Sequence, residues 1–84
     1  MARMSGSTLA APEQLRAARG LLGWTQRDLA RAAGTSRYAI VDYENGRVSP
    51  YVRTLQAIVA ALERAGVEFT AETADAGPGV RLRK

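Results

Sequence analysis

The chain has 84 residues, which is enough for one domain with one modest hydrophobic core. It contains no cysteine and no histidine, so disulfides, thiolate metal sites and imidazole acid–base chemistry are excluded. The carboxylates show no pairing pattern typical of an apolar cleft. We therefore expect no enzyme activity, no cofactor and no bound metal.

The amino-terminal stretch does not have the pattern of a signal peptide. The stretch 1–20 has no apolar run long enough for a signal peptide, because Pro12, Glu13 and Arg16 interrupt it. No segment approaches the ~20 consecutive apolar residues of a membrane span. The sequence predicts a cytoplasmic protein that contacts no membrane.

Positive charge is unevenly distributed along the chain. The net charge is +4, and eleven of the twelve basic residues are arginine. GC-rich codon usage is one explanation of this composition, and the fit of the planar guanidinium to phosphates and guanine edges is the other. Residues 1–58 carry eight arginines and four acids, whereas residues 59–84 carry four basic and four acidic residues. This asymmetry predicts an electropositive face in the first part.

The first predicted element follows a small, polar segment, residues 1–11, which we expect to be a flexible arm. Pro12 suits the first turn of a helix, and Glu13 is favourable near the positive end of the helix dipole. Gly23 ends the helical pattern. The residues that recur at helical spacing along this first helix are Leu15, Ala18, Arg19 and Leu22.

Two short helices follow in close succession. Thr25 and Asp28 have the spacing of a capping box at the start of the second helix, and Gly34 is suited to its end. Ser36 is placed to cap a third helix that runs to about Asn45. Because so few residues separate the two helices, they must turn sharply across each other, as in a helix-turn-helix.

The remaining elements are a fourth helix and a hairpin. The fourth helix is expected from about Tyr51 to Ala65, with an inward stripe of Val52, Leu55, Ile58, Val59 and Leu62. The stretches "VEFTAE" (67–72) and "VRLR" (80–83) then alternate with period two, which predicts a β-hairpin with acids facing arginines on its outer side. An isolated hairpin is marginal in water. It either folds back on the fourth helix or pairs with a second copy.

The third helix has two chemically different sides. Ala39, Ile40 and Tyr43 fall on one side at the spacing of a buried stripe. The opposite side carries Arg37, Tyr38, Val41, Asp42 and Asn45. These outer groups suit the reading of base edges in a major groove, although a generic surface helix remains the alternative for this stretch taken alone.

The stretch "WTQRDLARAAGTSRYAIVDYENGR" resembles the helix-turn-helix of the Xre family, the lambda-repressor and Cro type of DNA-binding domain. The shared residues continue with Pro50 and Leu55, and the resemblance covers residues 12–65. It implies a mainly α fold, a lambda-repressor-like bundle of about four helices, followed here by the C-terminal β-hairpin. The tail, residues 66–84, is similar to an extension of small bacterial members and is a candidate dimerisation element.

The resemblance also implies roles for individual residues. It assigns base contacts to Ser36, Arg37, Tyr38 and Asp42. It assigns phosphate contacts to Thr25, Gln26, Asn45, Arg47 and Ser49. Arg19 and Glu44 correspond to a structural ion pair. Asp42 departs from the more usual Gln, Arg or Ser, and either accepts from a cytosine amino group or orients Arg37 or Tyr38.

Other side chains in this region have simpler interpretations. Trp24 and Tyr43 are expected in the core. Arg27 and Arg31 point away from the inward stripe of the second helix and are expected on a solvated face.

Together these features predict a sequence-specific transcriptional regulator, a homodimeric repressor that binds a two-fold operator in double-stranded DNA and is associated with the nucleoid. The alternative is an antitoxin-type or accessory subunit that autoregulates its operon. In that role the C-terminal hairpin would bind a partner protein.

Overall fold

The computed structural model describes residues 10–46, 52–70 and 79–83. Within these ranges it contains four helices followed by an antiparallel two-stranded sheet, so the predicted mainly α fold is confirmed. Residues 1–9 of the expected arm lie outside the described residues, as do Arg47, Ser49 and Tyr51. The elements are α1 (Pro12–Leu22), α2 (Gln26–Ala33), α3 (Arg37–Glu44), α4 (Val52–Arg64), β1 (Val67–Thr70) and β2 (Gly79–Leu82).

Local capping explains where α2 and α3 begin. The Thr25 hydroxyl accepts from the Asp28 backbone N–H at 3.0 Å, and the Asp28 carboxylate accepts from the Thr25 N–H at 2.9 Å. The hydrogen bond from the Thr25 backbone N–H, assisted by the Thr25 side chain, stabilises the charged carboxylate and lowers the pKa of Asp28. The Ser36 hydroxyl accepts from the Ala39 N–H at 3.2 Å and caps α3 in the same way. Both predicted caps are therefore present.

Glycine in the left-handed conformation ends α2 and follows α3. Gly34 has φ 71° at the end of α2, which any other residue would adopt only with strain. α3 ends at Glu44, one residue before the predicted end, and Gly46 at φ 70° then turns the chain.

The core lies where α1, α2, α3 and α4 converge beneath the hairpin. Every element except β2 contributes at least one fully buried side chain, and these are Leu15, Leu29, Ile40, Ile58, Leu62 and Val67. Trp24 and Tyr43 are half-buried against this core. The predicted stripe of α4 is wrong at its first residue, because Val52 is 59% exposed and the helix reaches the core only one turn later, at Leu55.

The hairpin folds back on its own domain, which is the first of the two expected alternatives. β1 packs on α4, and β2 packs on α1. The strands pair in antiparallel register, with Glu68 opposite Arg81, and these two side chains form a 2.7 Å ion pair on the outer side. Val67 and Phe69 are buried, but Leu82 on β2, expected on the same inner side, remains 43% exposed.

A glutamine missed in the sequence analysis fastens the hairpin to α1. Gln14 is only 3% exposed, and its amide nitrogen donates to the carbonyls of Thr70 at 3.3 Å and Gly79 at 3.0 Å. Its amide oxygen accepts from the Ala11 N–H at 2.8 Å. A single side chain therefore provides hydrogen-bond partners for a backbone N–H at the start of α1 and for carbonyls at the adjoining ends of both strands.

Replacing this glutamine tests how much that contact stabilises the fold. We expect Gln14→Leu to lower the free energy of unfolding by about 1–3 kcal/mol, because two part-buried carbonyls lose their donor. Urea denaturation measures the effect. The matched control is Gln56→Leu on the exposed side of α4, which we expect to stay within about 0.5 kcal/mol of the parent. Equal effects of the two substitutions would contradict the role of Gln14.

The half-buried phenol of Tyr43 gives a pH-dependent prediction. Its hydroxyl donates to the Ala10 carbonyl, and burial, assisted by the negative charge of Glu13, raises the pKa of Tyr43. The folded state therefore holds the phenolic proton more tightly than the unfolded chain, whose tyrosine pKa is about 10. This contribution to stability is complete below the unfolded pKa and is lost as pH rises through the folded pKa.

Urea denaturation midpoints measured from about pH 8 to about pH 11 check this prediction. This pH range brackets the ordinary pKa of tyrosine. Tyr43→Phe should be less stable than the parent at the lower pH and should lose less stability on the alkaline side. Tyr38→Phe, at a residue that is 71% exposed, should keep the parent's alkaline slope. An unchanged slope in Tyr43→Phe would refute the assignment.

Candidate nucleic-acid interface

The outer side of α3 is solvent-facing along the helix while Ile40 anchors the opposite side. Ile40 is fully buried, whereas Tyr38 is 71% exposed. Arg37 and Asn45 are exposed at the two ends, and Asp42 is half-buried between them. The helix therefore presents a guanidinium, a phenol, a carboxylate and an amide in one row.

Two of the residues assigned to base contacts are already engaged with their surroundings. The Ser36 hydroxyl oxygen caps α3, which leaves its O–H available as a donor. The guanidinium carbon of Arg37 lies 5.8 Å from the centre of the Tyr38 ring. Within the described ranges, Asp42 makes no hydrogen bond or ion pair with Arg37 or Tyr38. The expected alternative in which Asp42 orients them through a hydrogen bond is therefore not observed.

The beginning of α2 lies beside the beginning of α3. A shallow depression of about 270 Å³ between them is lined by Thr25, Gln26, Arg27 and Arg37. Backbone N–H groups at a helix start and nearby guanidinium groups both favour an anion. Of the expected phosphate-contacting residues, the structure brings Thr25 and Gln26 together here, next to Arg37.

Arg27 is the residue of this depression that the sequence analysis assigned to a solvated face. It is exposed, as expected, but it borders the same depression as Arg37. Helical periodicity identifies the side of α2 on which Arg27 lies. It does not show that α3 begins next to that side, so only the tertiary structure reveals this location.

The other predicted phosphate-contacting group follows α3. Asn45 is exposed and directly follows the last residue of α3, with its backbone N–H donating to the Val41 carbonyl at 3.0 Å. Arg47 and Ser49, assigned to the same group, are beyond the described residues. The described part of the interface thus runs from the depression at the start of α2 to Asn45.

A buried carboxylate lies behind this surface. The Glu44 side chain is 1% exposed and forms a two-pronged ion pair with Arg19, with both N–O distances 2.8 Å. Gln26 donates its amide to the same carboxylate at 3.1 Å, and Arg16 donates to the Glu44 main-chain carbonyl. The hydrogen bond and the charge of Glu44 raise the pKa of Arg19 despite its partial burial.

The Arg19–Glu44 pair named from the resemblance is thus formed, with two additions that the sequence analysis did not identify, Gln26 and Arg16. Arg19 also donates to the Trp24 carbonyl at 3.1 Å, in the segment between α1 and α2. This Glu44 cluster, defined as Arg16, Arg19, Gln26 and Glu44, joins the first three helices.

The family model of the helix-turn-helix proteins, HTH_3, matches residues 15–69. The chain belongs to this family of the Xre and lambda-repressor type, whose domains are found in DNA-binding transcription regulators and are not typically enzymatic. No curated protein matches the chain. In the part of the chain that the structure describes, no helix is both long enough and apolar enough to cross a membrane.

Two ion pairs among the described residues provide a comparison between a buried carboxylate, Glu44, and a carboxylate at the surface, Glu68. We expect Glu44→Ala to lower the free energy of unfolding by about 3–5 kcal/mol, because the Arg19 guanidinium is left part-buried without its partner. The exposed pair is expected to contribute little, so Glu68→Ala should cost at most about 1 kcal/mol.

Urea denaturation at low and high salt distinguishes the two pairs. The small effect of Glu68→Ala should shrink further as salt screens the exposed charges, whereas the effect of Glu44→Ala should persist. A cost for Glu44→Ala no larger than that for Glu68→Ala would contradict the structural importance of the Glu44 cluster.

Proposed function

We propose that this chain is a sequence-specific transcriptional regulator that binds double-stranded DNA as a homodimer and represses by blocking access to a promoter. The observation that carries the proposal is the outward row of polar side chains on α3, directly opposite the buried Ile40. A major groove admits one helix, and this row offers donors and acceptors to the base edges. Membership of the helix-turn-helix family supports DNA binding in general.

Arg37 is the proposed specific contact. It is the first residue of α3, is exposed, and forms no ion pair with a residue in the described ranges. A guanidinium donates two parallel hydrogen bonds to the O6 and N7 atoms of guanine, and a good bidentate contact contributes about 1–3 kcal/mol of discrimination. Ser36, Tyr38 and Asp42 lie beside it and are the proposed neighbouring base contacts.

Phosphate contacts are proposed at both ends of α3. Thr25 and Gln26 approach one strand at the start of α2, and Asn45, with Arg47 and Ser49 beyond it, approaches the backbone at the other end. Such contacts fix the register of a helix in the groove without specifying sequence. Two copies would neutralise about 6–10 phosphates, which predicts a steep fall of affinity with salt.

The homodimer follows from the symmetry expected of such an operator. Half-sites one helical turn apart, about 10 base pairs, place two copies of α3 in successive major grooves on one side of the duplex. The C-terminal hairpin, 66–84, is the proposed dimerisation element, supported by the partly exposed Leu82 on β2. Co-purification of a second polypeptide bound to this hairpin would instead favour the accessory-subunit alternative.

Selection from random duplex oligonucleotides with the purified protein, at stated salt, tests the proposal. We expect one enriched motif with two-fold symmetry. In Arg37→Ala, the preference at one base pair of each half-site should fall by about 1–3 kcal/mol while the rest of the motif persists. Analytical ultracentrifugation of the complex should give two chains per duplex.

Arg64→Ala is the control for this selection, since it removes an equally charged, exposed arginine that lies in α4, outside α3 and outside the proposed dimerisation element. It should return the parent's motif. Absence of any enriched motif would exclude sequence-specific DNA binding. An Arg37→Ala protein with the parent's full motif would exclude Arg37 from base recognition.

A further inference from the structure

The first two residues of α3 contact each other on the proposed recognition surface. The Arg37 guanidinium carbon lies 5.8 Å from the centre of the Tyr38 ring, within the range of a cation–π contact. Tyr38 is 71% exposed, so its ring is not held in the core. No acid among the described residues forms an ion pair with Arg37. The ring is therefore the interaction that the structure shows for this guanidinium.

One guanidinium can make a cation–π contact and recognise a base at the same time. A cation–π contact uses the flat face of the guanidinium, whereas bidentate hydrogen bonding to guanine uses the N–H groups along its edge. The two interactions therefore do not compete. A guanidinium already resting on a ring also loses less conformational freedom when it binds than one that moves freely in water.

We propose that Tyr38 is a positioning residue for Arg37, acting through the face of its ring and not through a hydrogen bond from its hydroxyl to a base. This inference rests on the proposed function and refines it, because the resemblance assigned Tyr38 to a direct base contact. It also distinguishes Tyr38 from Asp42, which makes no hydrogen bond or ion pair to Arg37 in the described structure.

The proposal predicts how strongly each of three substitutions reduces discrimination between bases. Tyr38→Phe keeps the ring and should keep the parent's discrimination at the base pair that depends on Arg37. Tyr38→Leu keeps an apolar side chain but removes the ring. It should reduce that discrimination about two- to fivefold, which is the worth of an exposed cation–π contact. Arg37→Lys should lose most of it, since an ammonium lacks the planar fork.

The experiment is competition binding with two duplexes, the selected operator and the same operator altered only at the base pair identified by Arg37→Ala. The measured quantity is the ratio of the two affinities. Tyr38→Leu should reduce this ratio in the parent background but not in the Arg37→Ala background. Arg64→Ala, at an exposed residue of α4, should leave the ratio unchanged. Circular dichroism checks that the variants, changed only at exposed residues, remain folded.

NMR of the free protein gives a readout that does not depend on DNA. The ring current of Tyr38 should shift the Arg37 side-chain resonances upfield in the parent and in Tyr38→Phe, and the shift should vanish in Tyr38→Leu. Its absence in the parent would overturn the contact itself, whatever the DNA result.

Three binding outcomes would overturn the proposal while leaving the proposed function intact. Tyr38→Phe losing as much discrimination as Tyr38→Leu would show that the hydroxyl reads the base. An equal loss of affinity for both duplexes in Tyr38→Leu would show a non-specific contact, and an unchanged affinity for each duplex would show no role. Failure of the parent to select any motif, with the upfield shift present, would instead refute the proposed function and the positioning role that rests on it.

Discussion

The arrangement of the first three helices depends on one buried carboxylate. Transfer of Glu44 from water to a site where it is 1% exposed costs several kcal/mol unless its charge and lone pairs are satisfied. Arg19 supplies two charge-assisted hydrogen bonds and Gln26 supplies a third. These donors come from α1 and α2, while the carboxylate ends α3. The helices can therefore satisfy this charge together only when their ends meet in the observed positions.

This requirement has a direct consequence for the proposed interface. Gln26 is the first residue of α2, and Glu44 immediately precedes Asn45. The residues proposed to contact phosphates at the two ends of the interface are thus connected to the same buried group. Ile40 holds the middle of α3 against the core, and the Glu44 cluster holds its end. With both anchored, the outward row can keep one orientation although none of its side chains is fully buried.

Local patterns were sufficient to predict most element boundaries. The Thr25–Asp28 box, the Ser36 cap and Gly34 are signals within a few residues of the helix ends they define, and the structure begins and ends the helices there. The alternation within 67–72 and within 80–83 likewise predicted two paired strands with acids opposite arginines. The structure has strands Val67–Thr70 and Gly79–Leu82, with Glu68 paired to Arg81. In each case the stabilising partner is near in sequence or directly opposite in a ladder.

What the sequence analysis missed depends on contacts between distant segments. Gln14 looks like an ordinary helical glutamine until both hairpin strands are placed beside it, more than fifty residues later. Val52 fits the apolar period of α4, but periodicity cannot show that the core begins one turn further on. Arg27 and Arg37 border the same depression only because of the way in which α2 crosses α3. The Arg19–Glu44 pair was named in advance only because the family resemblance supplied this tertiary information.

The locations of the acids bear on the two explanations of the arginine-rich composition. In the first part of the chain, Asp28 caps α2 and Glu44 is enclosed with Arg19, so both carboxylates serve structural contacts. Arg27 and Arg37 remain exposed at one depression with no ion pair to a described residue. In the hairpin, by contrast, Arg81 is neutralised by Glu68. Codon usage accounts for the number of arginines, but it does not explain which of them form ion pairs. The grouping of unpaired guanidinium groups beside α3 therefore favours a polyanion as the partner of that surface.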